Sequence, residues 1–497
     1  MYMENKMSHS DLSEDQYDAY QRCMKGQNVF ITGPGGCGKS YLIHKLVKMF
    51  HEETNKRVQV CAMTGTASIL LDCNAKTLHS WSGIGQGKGD HHHIITNIAL
   101  NKFKRKAWKN TDVLILDEVS MLSKNLFELL DAIGKRIRSN GMPFGGIQLI
   151  FSGDFLQLPP VPNHGDPDSA LFSFQSPLWK DTFDAQILLD KVFRQKNPLY
   201  IELLHEVREG TLSKKNMKLL ESRKVRPQED ITMLVARRNE ADQINNWNLT
   251  KLKGEKQQFK CSCVYQKELV KTLRQPSPKE IDSEFKYLKK NARFDEVLEL
   301  KIGARVMCIV NLDMENGLCN GSTGYVIGFN HEKHPVVAFD NAIKRVIKPH
   351  PWKSDKFEHV SIEAVPLILA WAITIHKSQG ATLDKACMDL GSDVFAEGQM
   401  YVALSRVKSL EGIYLTSFNP RRIRANKEAI EFYNQFYDEE EEVVTVAAGA
   451  AVGGDGSERM TAGDGSERIT INEIAQEINK TNADKGEDLT YLDDVVW

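Results

Sequence analysis

The segment GPGGCGKS, Gly33 to Ser40, constrains this chain more than any other. It fits the pattern G-x-x-x-x-G-K-[ST] in the context that pattern requires. The short apolar run NVFIT (Asn28 to Thr32) precedes it as a buried strand. Lys39 to Phe50 follows as a helix with Leu42, Ile43, Leu46, Val47 and Phe50 on one face. A strand that turns through glycines into a helix aims backbone amides and a helix dipole at one point, which suits phosphate. Gly33, Pro34, Gly35, Gly36, Cys37 and Gly38 would wrap the phosphates. Lys39 would neutralise their β and γ oxygens, and the Ser40 hydroxyl would face Mg²⁺.

The elements around this loop alternate. VQVCAM, DVLILD and IQLIFSGD read as further strands with helical stretches between them, which predicts a parallel sheet covered on both faces. Asp11 to Lys25 reads as a helix, with Ser13 and Gln16 at capping-box spacing. A second apolar strand, ITMLVA (Ile231 to Ala236), is followed by a helix over Asn239 to Leu252. The next parallel strand expected is PLILAWAITI. Between them the texture changes. From about Asp295 to Val360 the short runs ARVMCIV, GYVIGF, PVVAF and KRVIK are broken by Asn320-Gly321, Gly324 and Pro335, which suggests an inserted antiparallel barrel. Ser262 to Asn291 is polar and lysine-rich and finds no firm place. After Asp438 the chain turns acidic and low in complexity, and GDGSER recurs nine residues later. A disordered tail is expected there. Ile471, Ile474 and Ile478 could line a short helix, so the tail reads either as a solvated segment or as a docking peptide for a protein partner.

The chain has 497 residues, 41% of them hydrophobic, enough for several cores. Lys plus Arg number 64 against 66 Asp plus Glu. Net charge therefore implies no polyanion partner, and any nucleic-acid surface must be a local basic patch. The nine cysteines lack paired spacing, as reduced intracellular thiols would. No apolar run is long enough to span a bilayer, and the polar, acidic N-terminus resembles neither a signal peptide nor a mitochondrial presequence.

Two further strand exits carry chemistry. VLILDE places Asp117 and Glu118 side by side, and adjacent carboxylates repel unless a cation is present. Asp117 is suited to the Mg²⁺ hydration shell and Glu118 to the attacking water, so the simplest account is metal-assisted hydrolysis of a nucleoside triphosphate. FSGDFLQLPPV places Asp154 and Gln157 beyond the next strand. Gln157 either senses a γ-phosphate or makes ordinary loop hydrogen bonds. Arg194 in VFRQ and Arg406 in YVALSRVKS are candidates to stabilise charge on that phosphate. Far downstream, IHKSQG sets His376, Lys377, Ser378, Gln379 and Gly380 at another polar strand exit.

In this order GPGGCGKS, TGTAS, TLHSWSGIG, LDEVSML, GGIQLIFSGDFLQLPPV, VFRQ, GLCNGSTGYV, AWAITIHKSQGATLD and YVALSRVKS resemble superfamily-one subgroup B DNA helicases, and within them the PIF (petite integration frequency) family, relatives of RecD and Dda. The likeness covers about Leu12 to Ser417. It implies an α/β fold: two RecA-like parallel-sheet domains of the P-loop NTPase type, a small wedge insertion, an inserted antiparallel β-barrel and a disordered acidic C-terminal tail. On that reading residues 1–200 form the first RecA-like domain with a wedge at about 86–110. Residues 201–294 are linker and the start of the second, 295–360 the barrel, 361–437 the rest of the second, and 438–497 the tail.

The resemblance also implies roles. ATP and Mg²⁺ would bind between the domains, with Ser40 and Asp117 on the metal. Lys39, Asp117, Glu118, Gln157, Arg194 and Arg406 would be catalytic, and Gln16 would read adenine. Gly380 would line the nucleotide, and Lys377, Ser378 and Gln379 would link hydrolysis to strand grip. Thr64, Gly65, Thr77, His79 and His376 would hold single-stranded DNA. The implied protein is a monomeric 5′-to-3′ ATP-dependent DNA helicase in the nucleus or cytoplasm, acting on single-stranded and forked DNA. An RNA-directed helicase, a translocase that does not unwind, and an ATP-gated nucleic-acid clamp are the rival readings. Within the wedge, NKFKRKAWK is basic with two aromatics, as strand-tracking surfaces are. The triplet His91 to His93 reads as a solvated loop rather than a metal site. Two departures from the family pattern stand out: Ser68 replaces a usual alanine, and Arg237-Arg238 a usual threonine or proline.

Overall fold

Val29 to Thr32 are all buried, and a fully buried four-residue strand needs a neighbour on each side. In the computed structural model it lies between Gln148–Ser152 and Ala185–Leu188, parallel to both. The structure describes residues 11–436 apart from 72, 74, 86, 88, 163–165, 229–230, 267–275, 291–293, 311, 314–315, 317, 319–320, 355–356 and 358–359. The chain divides into Met1–Gln435 and Phe436–Trp497. The expected tail, 438–497, lies outside the described residues, as do Gln86 at the start of the expected wedge and residues 267–275 of the lysine-rich stretch.

The protein is α/β. Its larger sheet has six parallel strands in the order Lys76–Thr77, Val58–Ala62, Val113–Asp117, Gln148–Ser152, Val29–Thr32 and Ala185–Leu188. Helix Lys39–Glu53 covers it with the predicted face, Leu42, Ile43, Leu46, Val47 and Phe50. Helix Glu14–Met24 has the expected capping box, with Ser13 and Gln16 each bonded to the other's backbone. A second sheet has four parallel strands in the order Ala372–Thr374, Met233–Val235, Ala386–Leu390 and Ile413–Phe418. Both sheets point the carboxyl ends of their strands at the polar exits, as ligand-binding α/β sheets do.

The run expected as one strand, PLILAWAITI, is two. Leu367–Leu369 pairs antiparallel with Arg305–Cys308, whereas Ala372–Thr374 pairs parallel with Met233–Val235. A side chain closes the outer edge of the parallel sheet. The buried side chain of Asn245 donates to the Ala372 carbonyl at 2.8 Å and accepts from its amide at 2.9 Å. One amide group thus does what a further strand would do, and the sheet ends there.

The short strands after Lys256 form three antiparallel sheets. The largest runs Lys344–Val346, Pro335–Phe339, Thr323–Phe329, Arg305–Cys308, Leu367–Leu369. Val306, Val326, Val337 and Leu367 alternate into its core. Ser262–Tyr265, from the stretch that sequence could not place, joins His350–Lys353 and Val360–Ala364.

Two expectations in the wedge region change. His91 to His93 are the first turn of helix His91–Leu100, not a loop, because Asp90 caps it through the His93 amide at 2.8 Å. Among the described residues no cluster of three or more His, Cys, Asp or Glu could hold a metal. In helix Lys102–Lys109 the two aromatics part company. Phe103 is exposed, but Trp108 is fully buried, packs at a tilt against Trp81 with ring centroids 4.6 Å apart and donates to the Ser82 carbonyl. Only one of the pair can meet a nucleic acid.

Candidate active site

The phosphate-binding loop is built as its glycines dictate. Gly38 caps helix Lys39–Glu53 in the left-handed region, φ 88°, and a Cβ there would sit 2.5 Å from Gln16 Nε2. Gly36, φ 96°, would collide with Arg194 Cβ at 2.6 Å. Only glycine fits both places. Lys39 Nζ donates to the carbonyls of Gly33 at 2.6 Å and Pro34 at 3.1 Å. Burial alone would lower its pKa, but Cys37, Asp154, Tyr401 and Glu118 outweigh burial and hold the ammonium above its usual range. Gln16 is buried. Its amide accepts from the Ser13 backbone and donates to the Cys37 carbonyl at 3.2 Å, so one side chain serves both the helix cap and the loop.

Asp117 and Glu118 stand at the exit of strand Val113–Asp117. Burial pushes Asp117 above the usual carboxylate range, against the pull of Lys39 and Ser40. Glu118 adopts φ 57°, a strained conformation for a side-chain residue and one found at functional sites. Burial and the neighbouring Asp117 push its carboxyl to about 7, against Lys39, Arg406 and Gln379. Gln379 Nε2 donates to Glu118 Oε2 at 2.9 Å, joining residues 261 apart in the chain.

Two arginines close the cleft, Arg194 from beside the loop and Arg406 from the facing helix. Arg406 ends helix Gln399–Ser405 and is 2% exposed. Its Nη2 lies 3.4 Å from where a Gly35 Cβ would be. Its Nε donates to the Val402 carbonyl and its Nη2 to the Ser405 hydroxyl. Burial and the like charge of Arg194 lower it to about 9. Arg194 is also lowered by burial, and its Nη1 donates to the Ser405 carbonyl at 3.0 Å. The Tyr401 hydroxyl accepts from the Gly35 amide at 2.7 Å.

Behind the loop is a buried network. Arg208 pairs with both carboxylate oxygens of Asp154, at 2.8 and 3.1 Å, and holds that carboxyl low against the opposing effect of burial. The Tyr433 hydroxyl lies 2.6 Å from Thr32 Oγ1, the last residue before the loop, and accepts from the Phe155 amide. Gln157 is buried, with its amide 3.4 Å from Asp154.

The expected site residues therefore fall into two groups. Gln16, the loop Gly33 to Ser40, Asp117, Glu118, Arg194, Gln379 and Arg406 come together. Gly380 follows Gln379 at φ 80°. Gln157 joins the group indirectly, through Asp154. The residues expected on DNA are spread along the strand exits. Thr64 accepts from the Ala67 amide, Gly65 starts helix Gly65–Leu70, and Thr77 caps helix Leu78–Ser82, which carries a half-buried His79 whose pKa burial lowers. His376 stacks near Phe395 and is likewise lowered by burial, and Lys377 is exposed. Ser378 is buried with its hydroxyl on the Ile375 carbonyl, and Gln379 turns to Glu118. Arg237 pairs with Asp393 and Arg238 with Asp242. Sequence reasoning passed over Gln195, Tyr200, Arg208 and Tyr433. Only Gln195 carried a signal, since it lies in VFRQ.

Residues 11–218 match the family described as PIF1-like helicase, and 286–329 the domain described as DNA helicase Pif1, 2B domain. The chain is 35% identical over 474 residues to the ATP-dependent DNA helicase PIF1 of Emericella nidulans, covering 82% of this chain and 61% of that protein. It spans less than two thirds of the length of the curated relatives it matches first. The crystal structure of Pif1 helicase from Candida albicans superposes with a TM-score of 0.70 at 33% identity, over 86% of this chain and 99% of that one. Pif1 helicase from Bacteroides in complex with ADP-AlF3 and single-stranded DNA gives 0.60 at 27%, over 86% and 98%.

Proposed function

Because this chain belongs to the PIF1-like helicase family, we propose that it is an ATP-dependent DNA helicase that moves along single-stranded DNA and opens forked duplexes. The carrying observation is the convergence of Arg194 and Arg406 on the loop of Lys39, with Arg406 Nη2 3.4 Å from the Cβ position of Gly35. The six- and four-stranded sheets are read as two RecA-like lobes, about 1–200 and 201–437. The helices near 86–110 are the wedge and the antiparallel strands near 295–360 the inserted barrel.

Each residue then has a task. Loop amides and Lys39 hold the β- and γ-phosphates of ATP. Ser40 and Asp117 offer hydroxyl and carboxylate oxygens, the donors a hard dication takes, and the burial that raises Asp117 makes a cation beside it favourable. Mg²⁺ held there would neutralise charge on the phosphate oxygens. Glu118, held by Gln379, orients the attacking water and takes its proton. Arg194 and Arg406 stabilise charge developing on the γ-phosphate. Loss of that phosphate removes the strongest tie between the two lobes, and the cleft loosens. Thr64, Gly65, Thr77 and His79 on one lobe and His376 and Lys377 on the other alternate their hold on the strand, and this differential affinity drives movement. The 5′-to-3′ direction rests on family likeness. The free cysteines among the described residues suit a reducing compartment, nucleus or cytoplasm, and no helix among those residues is long and apolar enough to cross a membrane.

The test is ATP hydrolysis with and without single-stranded DNA, then strand displacement on forks with only a 5′ or only a 3′ arm. Strong stimulation, lost in Lys39→Ala and Arg406→Ala, and unwinding from the 5′ arm alone are expected. Hydrolysis indifferent to DNA overturns the motor. Equal stimulation by RNA of the same length moves the substrate to RNA, because a DNA groove discriminates against the 2′-hydroxyl.

A further inference from the structure

Resting on the arginine reading above, we propose that Gln195 is a positioning residue that sets Arg406 over the phosphate-binding loop. The carbonyls at the end of helix Gln399–Ser405 lack partners within the helix, as at any helix C-terminus. Gln195 Nε2 donates to two carbonyls there, Ser405 at 3.2 Å and Val407 at 3.0 Å, one on each side of Arg406. Arg406 is in turn tied to this helix end through the Val402 carbonyl and the Ser405 hydroxyl, so a displaced 405–407 segment carries the guanidinium with it. The same short stretch touches the loop. The Phe193 amide donates to the Gly36 carbonyl at 2.9 Å. Gln195 Oε1 lies 3.3 Å from the Cβ position of Gly36 and has no hydrogen-bond partner among the described residues. Gln195 is 2% exposed. Residues 193–195 are therefore a spacer with the loop on one side and the arginine helix on the other.

Arg194 also holds the Ser405 carbonyl through Nη1, but a guanidinium that swings toward a phosphate gives that bond up. Gln195 has no charge to draw it there. It keeps the helix end in register while Arg194 changes partner.

The test uses the full chain with Gln195→Met, which keeps the volume and removes the donor, alongside Arg406→Ala and the double variant. DNA-stimulated hydrolysis is followed under single-turnover conditions, and binding of β,γ-methylene ATP by calorimetry. Expected is a fall in the hydrolysis rate of about ten- to a hundredfold, with nucleotide affinity changed by less than about threefold. The double variant should be no slower than Arg406→Ala, because residues acting as one unit are not additive. A purely structural role would shift affinity and rate together and would add to Arg406→Ala. That result, or an unchanged rate in Gln195→Met, overturns the proposal while Arg406 keeps its role. Full activity in Arg406→Ala overturns the arginine reading itself. If Gln195→Met fails to fold, Gln195→Asn, which shortens the donor, takes its place under the same criteria.

Discussion

The Tyr401 hydroxyl and the Gly35 amide, 366 residues apart in the chain, are joined at 2.7 Å. A phenol from the arginine helix thus occupies a donor of the phosphate-binding loop, in a place from which solvent is excluded. A phosphate oxygen that uses this amide must displace the phenol. Tyr401→Phe removes the competitor and keeps the ring. Since a neutral hydrogen bond contributes about 0.5–1.5 kcal/mol net, ATP should bind up to about tenfold more tightly. Titration with a fluorescent ATP analogue measures this. Weaker binding would mean that the phenol supports the loop rather than competing for it.

Glu118 yields a prediction in two parts. Its carboxyl is pushed to about 7 by burial and Asp117, above the unfolded value of about 4.3. Between those two values the folded state binds more protons than the unfolded one, so this group's contribution to stability falls as pH rises through the window and is unfavourable above 7. Glu118→Gln removes the charge and keeps an acceptor for Gln379. It should melt higher than the parent at pH 8, by an amount on the order of 3 kcal/mol, and nearly equal to it at pH 4. Hydrolysis should collapse at every pH while ATP and DNA still bind. Melting curves that shift equally at both pH values would show that Glu118 is charged throughout.

The pair Asp154–Arg208 is buried on both sides. Removing one partner of such a pair leaves an uncompensated charge, at about 3–5 kcal/mol. Arg208→Met should destabilise by that order at neutral pH. Arg208 keeps the Asp154 carboxyl low. Without it that pKa rises, so the deficit should shrink on acidification as Asp154 takes a proton. Adding Asp154→Asn should recover part of the loss. Denaturant melts of both variants between pH 5 and 8 check all three statements, and a pH-independent deficit would rule out a charge origin.

Much of the proposed nucleotide cleft was legible because its parts are local. Gly33 to Ser40, Asp117-Glu118 and VFRQ each fall within one strand exit, and local backbone rules fix what such exits present. What sequence could not reveal acts at a distance. Gln195 meets Ser405 across 210 residues, and Tyr433 meets Thr32 across 401. Neither contact leaves a periodicity or a spacing. The division of PLILAWAITI escaped notice for a related reason. A continuous apolar run tells of burial but not of which sheet does the burying, and the side chain that closes the sheet edge, Asn245, belongs to another element.

The aromatics of NKFKRKAWK show the same limit and can be separated by experiment. A basic stretch with two aromatics reads as one nucleic-acid surface, but helix Lys102–Lys109 turns Trp108 into the core and Phe103 to solvent. Trp108→Ala opens a large cavity beside Trp81 and frees the Ser82 carbonyl, so it should destabilise by about 3–5 kcal/mol. Phe103→Ala should change melting by less than about 0.5 kcal/mol, as exposed substitutions do. If this helix touches the strand, Phe103→Ala should also weaken single-stranded DNA binding, since base stacking on an aromatic contributes about 1–3 kcal/mol. Fluorescence anisotropy on a labelled oligonucleotide, read beside thermal melts of both variants, tells the roles apart. Unchanged affinity in Phe103→Ala would remove this helix from the DNA path, and a stable Trp108→Ala would contradict the packing.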